Sequence, residues 1–207
     1  MAATTVRKRL SAKERKEDVV MAAIALAGTQ GFDRVTTEGM AERVGLTQAA
    51  IFRHFPTKDD VWIAVIGWIR TAIGRMLDEA ERGEADPLRA VEKMFHAHVR
   101  FVQKHPGIPR VVFSEHLLTG KPVFRRLIGA MVDGYEKRIA AKIAEAKKRG
   151  LAASSVEPKS AAVLYIAMVQ GIVIRTTIFT EGPRLDDLAR HVFPLFRDSL
   201  SAGDKNK

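Results

Sequence analysis

Apolar residues recur at intervals of three and four positions along almost the whole chain, and this spacing constrains the fold more than any other feature. It is the periodicity of helices that bury one face. No segment of the sequence alternates apolar and polar residues in the manner of a half-buried strand. We therefore predict an all-α fold of about nine helices.

Glycine, proline and capping residues predict where these helices begin and end. Gly31 and Gly45 are expected to end the first two, and Thr47 to cap a third that Pro56 stops. The predicted helices span about 11–31, 36–45, 47–55, 58 to the low 80s, 87–105, 109–118, 122–149, 158–180 and 184–201. Pro194 lies inside the last of them, where a kink is expected.

Composition restricts the class of protein. Hydrophobic residues make up 46% of the 207 positions, which is enough for a core, and the absence of cysteine excludes disulfides and thiolate metal sites. The net charge of +10 favours polyanionic partners, and the basic residues concentrate in 1–16 and 121–149. No signal peptide or apolar run of membrane-spanning length is present. We expect a soluble, cytoplasmic protein with no membrane partner.

The segment "TTEGMAERVGLTQAAIFRHF" places two short helices around Gly45, as in a helix-turn-helix unit. Ile51 and Phe55 are four residues apart, so they share a face that we expect to pack on the first helix. The opposite side of the third helix then faces outward, at a width that fits a DNA major groove. Bundles that never bind DNA also contain such helix pairs, so spacing alone leaves both readings open.

If this surface binds DNA, its residue types suggest distinct contacts. Gln48 can pair with adenine, Arg53 with guanine or a phosphate, and Ala49 or Ala50 can touch a thymine methyl group. Four further residues are placed to hold phosphates and so to set the register without reading sequence: Thr36, Thr37, His54 and Lys58.

The stretch "AAIALAGTQGFDRVTTEGMAERVGLTQAAIFRHFPTKDDVW" resembles the DNA-binding domain of the TetR family of bacterial transcriptional regulators. The likeness rests on the "GF" that ends the first helix, the "TT" that opens the second, "MAERVGLT" through the turn and "IFRHFPTKDDV" leading into the fourth helix. It implies a helix-turn-helix domain over 11–57 after a basic flexible arm at 1–10. A larger helical domain over 58–203 would bind an effector and dimerise.

The resemblance also implies roles for individual positions. Thr37 would contact a phosphate, and Lys58 would grip the DNA backbone and link the two domains. The recognition surface would be formed or flanked by Thr47, Gln48, Ala49, Ala50, Phe52, Arg53 and His54.

Two departures from the family pattern affect this expectation. The family often has tyrosine where Phe52 stands, so a phenolic hydrogen bond to phosphate is missing, and it often has glycine where Ala49 stands. Affinity is then expected to depend on Arg53 and on the basic arm with Arg7, Lys8 and Arg9. The arm either follows the DNA or serves as a solubilising tail.

For the whole protein, the resemblance implies a homodimeric repressor that a small-molecule effector releases from a palindromic operator in double-stranded DNA. The helix at 158–180 is apolar nearly all round, so more than one of its faces must be buried. We expect it to form a dimer interface with the last helix, through Val169, Ile172, Val173, Leu188, Val192 and Phe196.

The abundance of apolar side chains favours a hydrophobic or amphipathic effector. Each aromatic candidate for its pocket is also an ordinary core residue in such a bundle. The candidate lining residues lie on the fourth to eighth helices: Trp68, Phe95, His98, Phe101, Phe113, His116, Tyr165 and Met168.

An enzyme is not expected, because the sequence has no phosphate-binding glycine loop, nucleophile elbow or HExxH motif. No cofactor or metal is expected either, since His96 and His98 are two positions apart on a helix and cannot share a metal ion. The alternative to a regulator is a helical lipid- or partner-binding module that uses the basic helix at 122–149, without sequence-specific DNA binding.

Overall fold

The computed structural model describes residues 11–179 and 181–201, and within these ranges it contains ten α-helices and no strand. The all-α prediction is confirmed. The basic arm with Arg7, Lys8 and Arg9 lies outside the described residues. In chain order the helices are α1 (Ala12–Gln30), α2 (Thr37–Val44), α3 (Gln48–His54), α4 (Lys58–Glu81), α5 (Pro87–Lys104), α6 (Gly107–Val112), α7 (Glu115–Thr119), α8 (Pro122–Lys148), α9 (Pro158–Ile178) and α10 (Leu185–Ser201).

Local capping chemistry sets the ends of the first helices. The hydroxyl of Ser11 accepts the amide of Glu14 at 3.2 Å, and the Glu14 carboxylate accepts the amide of Ser11 at 2.7 Å, which forms a capping box. Gly31 and Gly45 follow α1 and α2 with φ of 88° and 65°, in the backbone region that glycine enters without steric cost. Both glycines therefore stop their helices as predicted.

The segment after α5 differs from its prediction. The expected single helix at 109–118 consists of two helices, because Ser114 has an extended backbone, with φ of −66° and ψ of 140°. Its amide and its hydroxyl both donate to the Val111 carbonyl, at 3.2 and 2.8 Å. The first of the two helices also begins earlier, at Gly107. Pro109 is tolerated there because it lies in the first turn, where a backbone N–H has no helical partner.

The larger part of the protein is a bundle of α4, α5, α8, α9 and α10, in which α8 packs on α9 and α5 contacts the other four. Aromatic side chains fill its centre. Phe95 lies fully buried at 5.0 Å from Phe193 and 5.5 Å from Tyr165, measured between ring centroids. α10 runs through Pro194 to Ser201 and closes one side of the bundle.

α1 joins the first three helices to the rest of the protein, through packing on α4 and on α6. α6 crosses α1 at a pair of glycines, where a Cβ on Gly28 would lie 3.1 Å from the Gly107 amide nitrogen. A Cβ on Gly107 would overlap the Ile24 carbonyl, so no side chain fits between the two backbones. Within the bundle, Asp59 at the start of α4 forms an ion pair with Lys121 at the start of α8.

We predict that Gly107→Ala destabilises the protein by roughly 1–3 kcal/mol, because the added methyl group forces α6 away from α1. Gly134→Ala in α8 is the matched control. Nothing lies within 4 Å of the methyl group that it adds, so the change is expected to raise stability by up to about 1 kcal/mol. Urea unfolding followed by circular dichroism measures both. Equal effects of the two alanines would show that the α1–α6 crossing is not tight.

Candidate nucleic-acid interface

The short helix α3 is anchored from one side by apolar residues. Ile51 is completely buried and Phe55 is 3% exposed, both within the core that α1 shares with α4. The Lys16 ammonium group lies 5.7 Å from the centre of the Phe55 ring, a cation–π contact that closes the outer edge of this packing. Burial of these two side chains fixes which side of α3 faces outward.

The turn before α3 holds it at an angle to α2. Gly45 adopts the left-handed conformation, with φ of 65° and ψ of 39°, and the Leu46 amide donates to the Ala41 carbonyl at 2.9 Å. The Thr47 hydroxyl oxygen accepts the Ala50 amide at 3.2 Å and so caps the helix. Thr36 caps α2 in the same way, through the Gly39 amide at 3.0 Å.

The outward side of α3 carries Gln48, Ala49, Phe52 and Arg53, all exposed, with Phe52 at 40%. The Gln48 side-chain amide donates to the Thr37 hydroxyl at 2.7 Å, which ties the start of α3 to the start of α2. Its carbonyl oxygen and second N–H remain available to a base edge. Arg53 supplies a guanidinium group one and a half turns further along the helix.

Ala50 does not share this surface. Its side chain is 8% exposed and lies under the helix beside Ile51, so it cannot reach a thymine methyl group. This corrects the expectation for Ala50 and leaves Ala49 as the alanine that can lie against DNA.

The predicted phosphate-binding residues flank the surface at helix starts. The Thr36 and Thr47 hydroxyls already accept backbone amides, but each keeps its O–H free to donate to a phosphate. Thr37 is 8% exposed, and its oxygen receives the Gln48 amide, which makes it a bridge between the two helices. His54 and Lys58 are half-buried at the end of α3 and the start of α4.

The bundle contains a separate cavity of about 80 Å³ between α4, α5, α6, α8 and α9. Of the eight predicted pocket residues, His98 and Phe113 line it. Its walls are otherwise aliphatic except for Tyr135 and Gln170, which the sequence reading missed. The apolar part of the lining comprises Ile69, Ile73, Val102, Ile108, Pro109, Val112, Phe113, Met131, Val132, Ile166, Val169 and Val173.

The other six predicted pocket residues lie elsewhere. Phe95 and Tyr165 are fully buried core residues, and Met168 is half-buried against the same core. Trp68 and Phe101 line an open groove between α4 and α5 on the outside of the bundle. His116 packs against the rings of Phe32 and Phe124, near the first three helices. The aromatic character of a residue alone therefore did not show whether its side chain lies in the core, on the surface or on the cavity wall.

The polar groups of the cavity are all uncharged. Burial lowers the pKa of His98 to about 4, so its imidazole is neutral near pH 7, and its Nδ1 has no hydrogen-bond partner among the described residues. The hydroxyls of Tyr135 and Tyr165 hydrogen-bond to each other at 3.2 Å, and burial raises the pKa of both. No Asp, Glu, Lys or Arg of the described residues contributes to the lining.

The predicted dimer-interface residues face the inside of the subunit. Val169, Ile172, Val173 and Phe196 are each at most 6% exposed, and Leu188 and Val192 pack partly buried against the same core. A partner chain could not contact the four buried side chains, so the choice of face on α9 is corrected.

The free face of α9 carries apolar residues that we name the α9 stripe: Val163, Leu164, Ile174 and Ile178. Ile178 is 66% exposed, and Leu195 on neighbouring α10 is 71% exposed. α9 is long and apolar enough to cross a membrane, by length and composition only. Its other face packs in the bundle core.

Comparison with known proteins matches this architecture. Residues 19–65, from the middle of α1 into α4, match the family model of bacterial regulatory proteins, tetR family. This segment is therefore similar to the DNA-binding domain of the TetR family.

A curated relative of this chain is the nucleoid occlusion factor SlmA of Haemophilus ducreyi, 30% identical over 127 residues. That alignment spans 61% of this chain and 63% of the relative.

Two solved structures share the fold. A regulator from Saccharomonospora viridis in complex with choline has a TM-score of 0.79 at 19% identity, over 88% of this chain and 95% of its own. FadR from Bacillus subtilis in complex with stearoyl-CoA has a TM-score of 0.74 at 15% identity, over 87% and 96%.

We predict that His98 destabilises this protein in mild acid. In the unfolded chain the imidazole gains its proton as pH falls through about 6.5, whereas in the folded protein it remains neutral down to about 4. The unfolded state therefore binds more protons between these values, and stability falls as pH is lowered. The full difference corresponds to roughly 3 kcal/mol.

Urea unfolding of the wild type and His98→Leu at pH 7.5, 6 and 5 measures this effect. The variant is expected to lose less stability between pH 7.5 and 5, because its unfolded state lacks that protonation. Burial also lowers the pKa of His96 and His105, and both are present in the two proteins, so the comparison isolates His98. Parallel stability curves would contradict the assignment.

Proposed function

We propose that the protein is a cytoplasmic, homodimeric transcriptional repressor that binds a palindromic operator through α3. The observation that carries this proposal is the outward surface of Gln48, Ala49, Phe52 and Arg53 on a helix clamped by Ile51 and Phe55. Gln48 and Arg53 are the residue types that read adenine and guanine in the major groove. Thr36, Thr47 and Lys58 flank them with donors for phosphates.

Dimerisation would supply a second DNA-binding domain. A palindromic operator needs two such domains, because each covers one half-site. The α9 stripe and Leu195 support this step, since they leave a band of large apolar side chains uncovered in the single subunit. Apolar patches of this kind mark interaction surfaces. We infer that the partner copy packs α9 and α10 against the same two helices.

An effector in the bundle cavity would release the DNA through α6. This helix forms one wall of the cavity through Ile108 and Val112, and its first residue, Gly107, rests on the backbone of α1. A ligand that pushes α6 outward would therefore shift α1 and the α2–α3 unit that packs on it. The spacing of the two DNA-binding domains in the dimer would then no longer match the operator.

A second candidate role is the one named for the Haemophilus ducreyi relative, nucleoid occlusion. The alignment length favours it, because 127 residues extend well beyond the 47 of the matched DNA-binding segment. Chromatin immunoprecipitation separates the roles. A local repressor is expected to occupy few sites near promoters, whereas a nucleoid occlusion factor is expected to occupy many sites spread over the chromosome.

Arg53→Ala is expected to weaken binding to the operator by roughly 1–3 kcal/mol while leaving the fold intact, because Arg53 is exposed and makes no ion pair among the described residues. Gel shifts at several salt concentrations, with an operator selected from random duplexes, measure this. Arg126→Ala on the exposed side of α8 is the control and is expected to change little. If Arg126→Ala weakens operator binding and Arg53→Ala does not, the DNA-binding surface lies on α8 and not on α3.

Ile174→Glu is expected to convert the dimer to monomers, because it places a carboxylate in the middle of the α9 stripe, where a partner would exclude water. Light scattering after size-exclusion chromatography measures the mass. Leu118→Glu is the matched control, since Leu118 is 40% exposed on α7 and lies away from the stripe. A dimer that persists in Ile174→Glu would move the interface to another surface.

A further inference from the structure

We propose that the bundle cavity selects an uncharged amphiphile, with an apolar body and one neutral hydrogen-bonding head, such as an alcohol or ketone, that meets the His98 ring. This inference rests on the proposed function, in which the cavity takes an effector, and it names the chemical class of that effector. If this inference is wrong, the proposed DNA binding by α3 is unaffected.

We infer the apolar body of the ligand from the residues that line the cavity. Twelve of the fifteen lining residues are aliphatic, aromatic or proline side chains without a polar group, contributed by five different helices. A hydrocarbon portion placed between them would exchange water for close-packed apolar contacts. A ligand with polar groups along its length would leave those groups without partners.

The polar head follows from His98. This ring lines the cavity, and its centroid lies 5.4 Å from that of the Tyr135 ring. Its Nδ1 is buried without a hydrogen-bond partner among the described residues. Buried polar atoms of proteins are nearly all hydrogen-bonded, so an orphan beside a cavity points to a group that arrives with a ligand.

The other two polar residues of the cavity differ from His98, since one is already hydrogen-bonded and the other is only half-buried. The Tyr135 hydroxyl is already engaged with the Tyr165 hydroxyl at 3.2 Å. Gln170 is half-buried on α9 and lines the same space. A neutral imidazole donates through one nitrogen and accepts through the other, so it suits both alcohols and ketones.

The absence of fixed charge among the described lining residues argues against an ionic head. Arg138 lies one turn beyond Tyr135 on α8, but it is paired with Asp78 at 2.7 Å and with Glu81 on α4. A carboxylate or ammonium head beside His98 would therefore be buried without a counter-charge. Such burial is strongly unfavourable unless the ion is paired.

Three probes with the same eight-carbon chain test this selection: 1-octanol, octanoate and octylamine at pH 7.5. Binding to the full chain is measured by isothermal titration calorimetry and by the shift in Tm. Octanol is expected to bind at least about tenfold more tightly than either ion, because only the neutral head avoids burying a charge. Tighter binding of octanoate or octylamine, or no binding of octanol, overturns the proposal.

Variants at His98 test the position of the head. His98→Leu is expected to weaken octanol binding about tenfold, because the head loses its partner in an apolar site. His98→Asn keeps a hydrogen-bonding group and is expected to bind octanol more tightly than His98→Leu. His105→Leu, in the outer groove, is the control and should bind as the wild type does. Equal octanol affinity in all four proteins overturns the role of His98.

A gel shift with the operator keeps the two proposals separate. If operator binding is intact while octanoate binds and octanol does not, the ligand class is wrong and the regulator stands. If the chain shows no preference for any duplex sequence, the proposed function fails regardless of which probe the cavity binds.

Discussion

The rest of the structure depends on the small residues that α1 presents to its neighbours. Ala23 and Ala27 are completely buried, and Gly28 lies against the backbone of α6. Around these small residues, one helix contacts α2, α4 and α6 at once, and its backbone meets that of α6 directly. The orientation of the surface on α3 and the position of a cavity wall are therefore both defined relative to the same short stretch of α1.

A comparison of magnitudes explains why α3 combines buried apolar residues with arginine and histidine. Burying a side chain such as that of Ile51 or Phe55 stabilises the helix position by roughly 1.5–3 kcal/mol each. The hydrogen bond from Gln48 to Thr37 contributes only about 1 kcal/mol net. The apolar pair thus determines how α3 lies, and Gln48 can exchange Thr37 for a base edge without loosening the helix.

The bounds of the first three helices could be predicted from the sequence, because the residues that set these bounds act locally. Gly31, Gly45 and Thr47 each specify a backbone conformation or a cap within four residues, so position in the chain predicts position in space. The Ser114 interruption was missed because no glycine or proline marks it.

The prediction of which face of α9 is exposed was wrong for a different reason. Val173 and Ile174 are adjacent and equally apolar, yet one is 5% and the other 45% exposed. Only packing against α8 and α10 distinguishes these two residues, and hydropathy does not predict that packing.

The size of the cavity links ligand binding to movement. At about 80 Å³ it is smaller than the roughly 300–1,000 Å³ of pockets that enclose drug-sized ligands, so such a ligand must displace a wall. Of the five wall helices, α6 is the shortest, with six residues, whereas α8 and α9 have 27 and 21 and pack along their lengths. α6 therefore has the fewest contacts of its own to resist displacement. Because Gly28 and Gly107 place its backbone directly on α1, no flexible side chain absorbs the movement. In the proposed regulator, the same close approach that stabilises the unliganded fold would carry the displacement to the DNA-binding surface.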